Sequence, residues 1–126
     1  MKVLVVVEDE PDMRMLISMM LARDPRLELM GEAASAAEAL EVLDTVDPGL
    51  IVLDHGIEGD VMGLQAAPLL KAKAPASKIL LFTAFDMRRE AEDEPAVDAY
   101  LRKDRITELL PTVQGLLDLD GEPASR

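Results

Sequence analysis

Short apolar runs recur along this chain, and each gives way within a residue or two to polar side chains. Val3–Val7 runs into Glu8-Asp9-Glu10-Pro11, Leu50–Leu53 into Asp54, Ile79–Phe82 into Thr83, and Ala99-Tyr100-Leu101 into Arg102-Lys103. Continuous apolar runs of this length predict parallel strands covered on both faces. Leu27–Glu32 alternates apolar with charged positions and predicts a second strand nearer a sheet edge.

Helical periodicity fills the gaps between the runs. Met13, Leu16, Ile17, Met20 and Leu21 recur at i, i+3, i+4, i+7 and i+8, which is one apolar helix face. Pro11 suits the first turn of that helix, and Asp24-Pro25 ends it. Ser35-Ala36-Ala37-Glu38 reads as a capping box opening a helix through Ala39, Leu40 and Leu43. A third helix is expected from about residue 64 to 73, with Pro68 in its first turn and a short regular part. Residues 84–95 are highly charged with almost no apolar stripe, ending at Pro95, so a short, frayed or mobile segment is expected in place of a regular fourth helix. Ile106, Leu109, Leu110, Val113, Leu116 and Leu117 predict the last helix, with Pro111 near its start. Residues 119–126 read as a polar tail or linker after a domain spanning residues 1–118.

Five strands alternating with five helices predict an α/β fold with right-handed parallel crossovers. The expected class is the flavodoxin-like (βα)5 doubly wound sheet, strand order 2-1-3-4-5. In such a sheet chemistry gathers at the carboxyl ends of the strands. Glu8, Asp9, Asp54, Thr83 and Lys103 should therefore converge: three carboxylates, a hydroxyl and an ammonium.

Composition narrows the picture further. A chain of 126 residues with nearly half its positions apolar supports one domain with a full core. A formal net charge of −12 argues against direct nucleic-acid binding and against anionic membranes. With no Cys, thiolate chemistry and zinc-thiolate sites are excluded. No apolar run approaches the length of a bilayer span, so a cytoplasmic location is expected. The eight Met residues, several between 13 and 30, are expected to fill core gaps.

The converging set suits Mg²⁺ and a phosphoryl group. Mg²⁺ takes one or two carboxylates, keeps waters and accepts phosphate oxygens. Asp9 and Asp54 would ligate directly, Glu8 through water, and the backbone carbonyl of Gly56 would help. Asp54 would be the nucleophile; Lys103 would hold one phosphoryl oxygen, and the Thr83 hydroxyl or a backbone N–H another. His55, the sole His, is read as an ordinary polar loop residue.

Four segments carry a family resemblance: Val-Val-Glu-Asp-Glu-Pro at 6–11, Ile-Val-Leu-Asp at 51–54, Leu-Phe-Thr-Ala at 81–84 and Tyr-Leu-Arg-Lys-Asp at 100–104. In this order they resemble the CheY-like receiver domain of two-component response regulators across about residues 2–118, closest to receivers of the NarL/FixJ class with LuxR-type output. The resemblance implies phosphorylation of Asp54 by a sensor histidine kinase or phosphotransfer protein, Mg²⁺ at Glu8 and Asp9, and Tyr100 as an aromatic switch partner of Thr83. It also implies a possible homodimer through the helix 4, strand 5 and helix 5 face. The segment after Asp54 departs from the family pattern: it lacks the usual Pro and is slightly longer. The interval from Thr83 to Lys103 is slightly shorter. Two rival readings are a degenerate receiver acting as a phosphorylation-independent scaffold, and a Mg²⁺-dependent aspartyl-phosphate hydrolase resembling the haloacid dehalogenase fold. The latter usually has Asp-x-Asp after its first strand, which this chain lacks.

Overall fold

The computed structural model describes residues 2–119, with side chains from residue 5 onward. Strands β1 (Lys2–Val7), β2 (Leu27–Ala33), β3 (Leu50–Leu53), β4 (Lys78–Thr83) and β5 (Ala99–Arg102) alternate with helices α1 (Pro11–Leu21), α2 (Ala36–Val42), α3 (Gly63–Lys73), α4 (Arg88–Glu92) and α5 (Leu109–Leu116). The five strands form one parallel sheet in the order β2-β1-β3-β4-β5, as the apolar runs predict. A 3₁₀ segment, Lys103–Glu108, leads into α5.

Because side chains alternate along a strand, the central strands feed two cores. Val5, Val7, Ile51, Leu53, Ile79 and Leu81 face the layer containing α2, α3 and α4. Val6, Leu50, Val52, Leu80 and Phe82 face α1 and α5. Both sets are buried, so no polar residue interrupts these runs until the strand ends. β2 lies at the edge, and its register against β1 shifts at Met30.

Several local expectations are corrected. Pro68 lies inside an 11-residue α3, beyond its first turn. Ala66, Ala67 and Leu70 are completely buried around it, and this packing offsets the missing backbone hydrogen bond. The methionines do not all fill the core: Met15 and Met19 are each 63% exposed, and Leu16 is 40% exposed. The sheet-facing stripe of α1 is centred on Ile17 and Leu21, which leaves positions 15, 16 and 19 outward. The capping box forms in an offset version. Ser35 Oγ accepts from the Glu38 amide at 3.1 Å, but the Glu38 carboxylate reaches the Ala34 amide, one residue before the cap. At the C-terminal end, Leu119 packs partly against the core and its amide bonds to the Gln114 carbonyl. Residues 120–126, most of the expected tail, lie outside the described residues.

Asp24 is more than a helix stop. It is fully buried, accepts from the backbone amide and guanidinium of Arg26, and accepts from Gln114 of α5 at 2.9 Å. The Arg26 hydrogen bond holds its carboxyl well below the usual carboxylate range, against the opposing effect of burial. This tie joins the α1–β2 turn to α5, far from the polar end of the sheet.

Candidate functional site

The polar residues after β1, β3 and β5 meet at one end of the sheet. The Asp54 amide bonds to the Val7 carbonyl at 3.0 Å, and the Glu8 amide to the Ala33 carbonyl at 2.9 Å. The sheet ladder thus fixes the backbone from which each carboxylate projects. Carboxylate oxygens of Glu8, Asp9 and Asp54 lie within 4.8 Å of one another. Lys103 Nζ lies 2.6 Å from Glu8 Oε1 and donates to Asp54 Oδ2 at 3.0 Å.

Burial separates the roles of these groups. Glu8 is only 1% exposed, whereas Asp9 is half-buried. Desolvation pushes the Glu8 carboxyl above its ordinary value; Lys103 opposes that shift, and the Asp54 charge adds to it. For Lys103, burial alone would lower the value, but its hydrogen bonds to Glu8 and Asp54 prevail and raise it. In this arrangement the Glu8 side chain is the buried partner of Lys103. Arg14, unforeseen in the sequence, donates to the Glu8 carbonyl at 2.7 Å and pairs with Glu32 at 3.0 Å.

Thr83 and Tyr100 converge on a neighbouring loop. The buried Thr83 hydroxyl accepts from the Phe85 amide at 3.4 Å. The Tyr100 hydroxyl donates to the Phe85 carbonyl at 2.7 Å and accepts from the Met87 amide at 3.0 Å. Arg88 stacks over the Tyr100 ring with its guanidinium carbon 5.5 Å from the centroid. Both proposed switch residues thus grip the two sides of residue 85.

The loop after Asp54 closes tightly. A Cβ on Gly63 would fall 2.0 Å from the Asp54 carbonyl oxygen, so only glycine lets α3 begin this close to the acidic cluster. A glycine at the start of an expected helix was the available signal. Gly56 and Gly59, the latter at φ +94°, lie within this loop.

The oxygen donors fit a hard divalent cation. Three carboxylates against one ammonium leave two negative charges for it to neutralise. A parallel sheet of order 2-1-3-4-5 with this acid–lysine cluster at its carboxyl end defines a receiver-like signalling module. The response regulator receiver domain model matches residues 4–114, and the chain belongs to that family. Among curated relatives, the nitrate/nitrite response regulator NarP of Escherichia coli is 30% identical over 107 residues, covering 83% of this chain and 49% of that protein. The chain spans about half the length of the curated relatives it matches. The solved structure of the response regulator TrrA of Thermotoga maritima, in complex with Mg²⁺-BeF, aligns with a TM-score of 0.81. It is 32% identical, covering 93% of this chain and all of that one. A LuxR-family response regulator from Aurantimonas aligns at 0.84 and 24% identity, over 93% and 85% of the two chains, and shares the fold. These similarities agree with the NarL/FixJ-type resemblance.

Proposed function

We propose that this domain is a phosphoacceptor receiver, a switching module rather than a dedicated enzyme. It would be phosphorylated on Asp54 by a histidine kinase or phosphotransfer protein. The observation that carries the reading is Lys103 held between Glu8 and Asp54, with Asp9 beside them. Asp9 and Asp54, with the Gly56 carbonyl, would hold Mg²⁺; Glu8 would complete the acidic wall. When bound, Mg²⁺ neutralises charge on the phosphoryl oxygens.

In the transfer step an Asp54 carboxylate oxygen attacks phosphorus. The O–P bond forms as the P–N bond to the donor imidazole breaks; the electron pair leaves on that nitrogen, which takes up a proton. Lys103 would exchange its contact with Asp54 for a phosphoryl oxygen while keeping Glu8. Thr83 would turn its hydroxyl from the Phe85 amide to another phosphoryl oxygen. Tyr100, bonded to the Phe85 carbonyl, would follow that loop. The wild type incubated with a small acyl phosphate and Mg²⁺ should gain one phosphoryl group by intact mass, and none when the metal is chelated. Labelling that ignores chelation would overturn the metal-assisted reading.

The same cluster separates Asp9 from Glu8. Asp9→Asn removes one of three mutually repelling charges from a half-buried side chain, so metal-free stability should be unchanged or slightly higher. Mg²⁺ at 100 times its dissociation constant should stabilise wild type by about 2.7 kcal/mol and the variant by less than half of that. Thermal melts with and without metal decide it. A large metal-free loss with intact Mg²⁺ stabilisation would make Asp9 a structural residue.

Among the described residues no helix is long and apolar enough to cross a membrane; a cytoplasmic site of action is part of this proposal. Signal output would use the α4–β5–α5 face, whether toward a partner or a second copy. There α4 has five residues and buries only Ala91 within the helix, so it draws little stability from packing. Without phosphate, the Ala91 and Asp93 amides, which bond to the Met87 and Arg89 carbonyls of this helix, should exchange at least about tenfold faster than those in the middle of α1. Equal protection would show a preformed output face.

A further inference from the structure

We infer that His55 is a positioning residue for phosphoryl transfer: it clamps the loop that carries Asp54 and Gly56 onto both α3 and the Phe85 loop. The inference rests on the phosphoacceptor reading of Asp54.

Four contacts meet on this one residue. Its Nδ1 accepts from the Leu64 amide, in the first turn of α3, at 3.1 Å. Its backbone carbonyl accepts from the Gly63 amide at 2.8 Å and from the Ile57 amide at 3.0 Å. Its ring meets Phe85 edge to face, with centroids 5.6 Å apart and planes at 85°. First-turn amides of a helix lack intrahelical partners, and Met62, at the capping position of α3, provides no side-chain hydrogen bond. His55 supplies that missing acceptor from nine residues upstream.

The loop it closes needs such a clamp. It contains Gly56 and Gly59, both with wide backbone freedom, and it has no proline. Gly56 lies directly beneath Phe85: a Cβ placed there would be 3.4 Å from the ring. His55 and Phe85 therefore restrict the backbone on both sides of the stretch that proposes a carbonyl to the metal and a carboxylate to phosphorus. Because Phe85 is also the residue gripped by Thr83 and Tyr100, the clamp joins the acceptor loop to the switch loop.

The two functions of the ring can be separated by substitution. Asn places Oδ1 where His places Nδ1, so His55→Asn keeps the acceptor, whereas His55→Ala loses both acceptor and ring. In metal-free protein, the Leu64 amide should exchange about fivefold faster in His55→Ala, the effect of one neutral hydrogen bond. It should stay within about twofold of wild type in His55→Asn. Labelling by acyl phosphate at limiting Mg²⁺ should slow about fivefold in His55→Ala and recover at saturating Mg²⁺, since a loosened site binds metal more weakly but keeps its nucleophile. His55→Asn should restore most of the loss. Unchanged Leu64 exchange and labelling in His55→Ala, or equal impairment in both variants, would overturn the clamp. Deprotection of the whole of α3 with a collapsed melting temperature would show a purely structural cap and overturn positioning. A wild type that takes no label refutes the phosphoacceptor reading and this inference with it. A labelled wild type matched by His55→Ala refutes this inference alone.

Discussion

Asp54→Asn protein, incubated with Mg²⁺ and a small acyl phosphate, should take up phosphate at least about a hundredfold more slowly than wild type, because a neutral amide replaces the carboxylate proposed as the nucleophile. The fold should survive the change. Lys103 keeps its 2.6 Å contact with Glu8, and removing the Asp54 charge relieves one of the causes that raise the Glu8 carboxyl. Metal-free melting should therefore stay close to wild type. Intact mass followed by peptide mapping distinguishes the outcomes. Undiminished labelling mapped to another residue would sink the assignment of Asp54, and with it the central claim about function.

Lys103→Ala should have the largest effect on stability, and the effect should depend on pH. Lys103 is the cation between two buried carboxylates, and stripping one partner from a buried pair costs about 3–5 kcal/mol. Protonation of Glu8 limits that loss. The Glu8 carboxyl already titrates above its ordinary 4.5 in the wild type; without Lys103 its upward displacement grows. A group raised on folding contributes stability that is complete below its unfolded value and is lost as pH rises through its folded value. The gap between wild type and Lys103→Ala should therefore be small near pH 4.5 and widen toward pH 7.5. Lys103 is itself raised above its ordinary 10.5, so the wild type keeps its advantage until strongly alkaline pH. Denaturant titrations in metal-free buffer at several pH values measure this gap. A gap that does not vary with pH would assign the loss to the packing of the lysine stem.

The strands and the acidic cluster were legible in the sequence for a single reason. Strands buried on both faces are unbroken apolar runs, so the polar residue that ends each run stands out, and parallel pairing brings all those ends together. Asp9, Asp54 and Lys103 could be read in this way, and the structure places them in one cluster with Glu8. Boundaries within helices were less legible because local propensity competes with packing. Pro68 looked like a helix start until Ala66, Ala67 and Leu70 buried the turn around it. The α1 pattern allowed Leu16 on the inner face, but a helix docked on a sheet covers a narrower stripe than its apolar positions occupy.

What the sequence by itself determined is the order of elements, the fold and the convergence of Glu8, Asp9, Asp54 and Lys103 at the carboxyl end of the sheet, because periodicity and strand ends are properties of consecutive residues. Only the tertiary structure decided how the cluster divides its work. Whether Glu8 is a buried partner of Lys103 or a solvated acid, whether Thr83 bonds to Phe85 or faces Asp54, and whether the lone His55 caps a helix all depend on distances between residues far apart in the chain. Those distances are set by sheet register and loop closure, which fix side-chain burial and, through it, charge and hydrogen bonding.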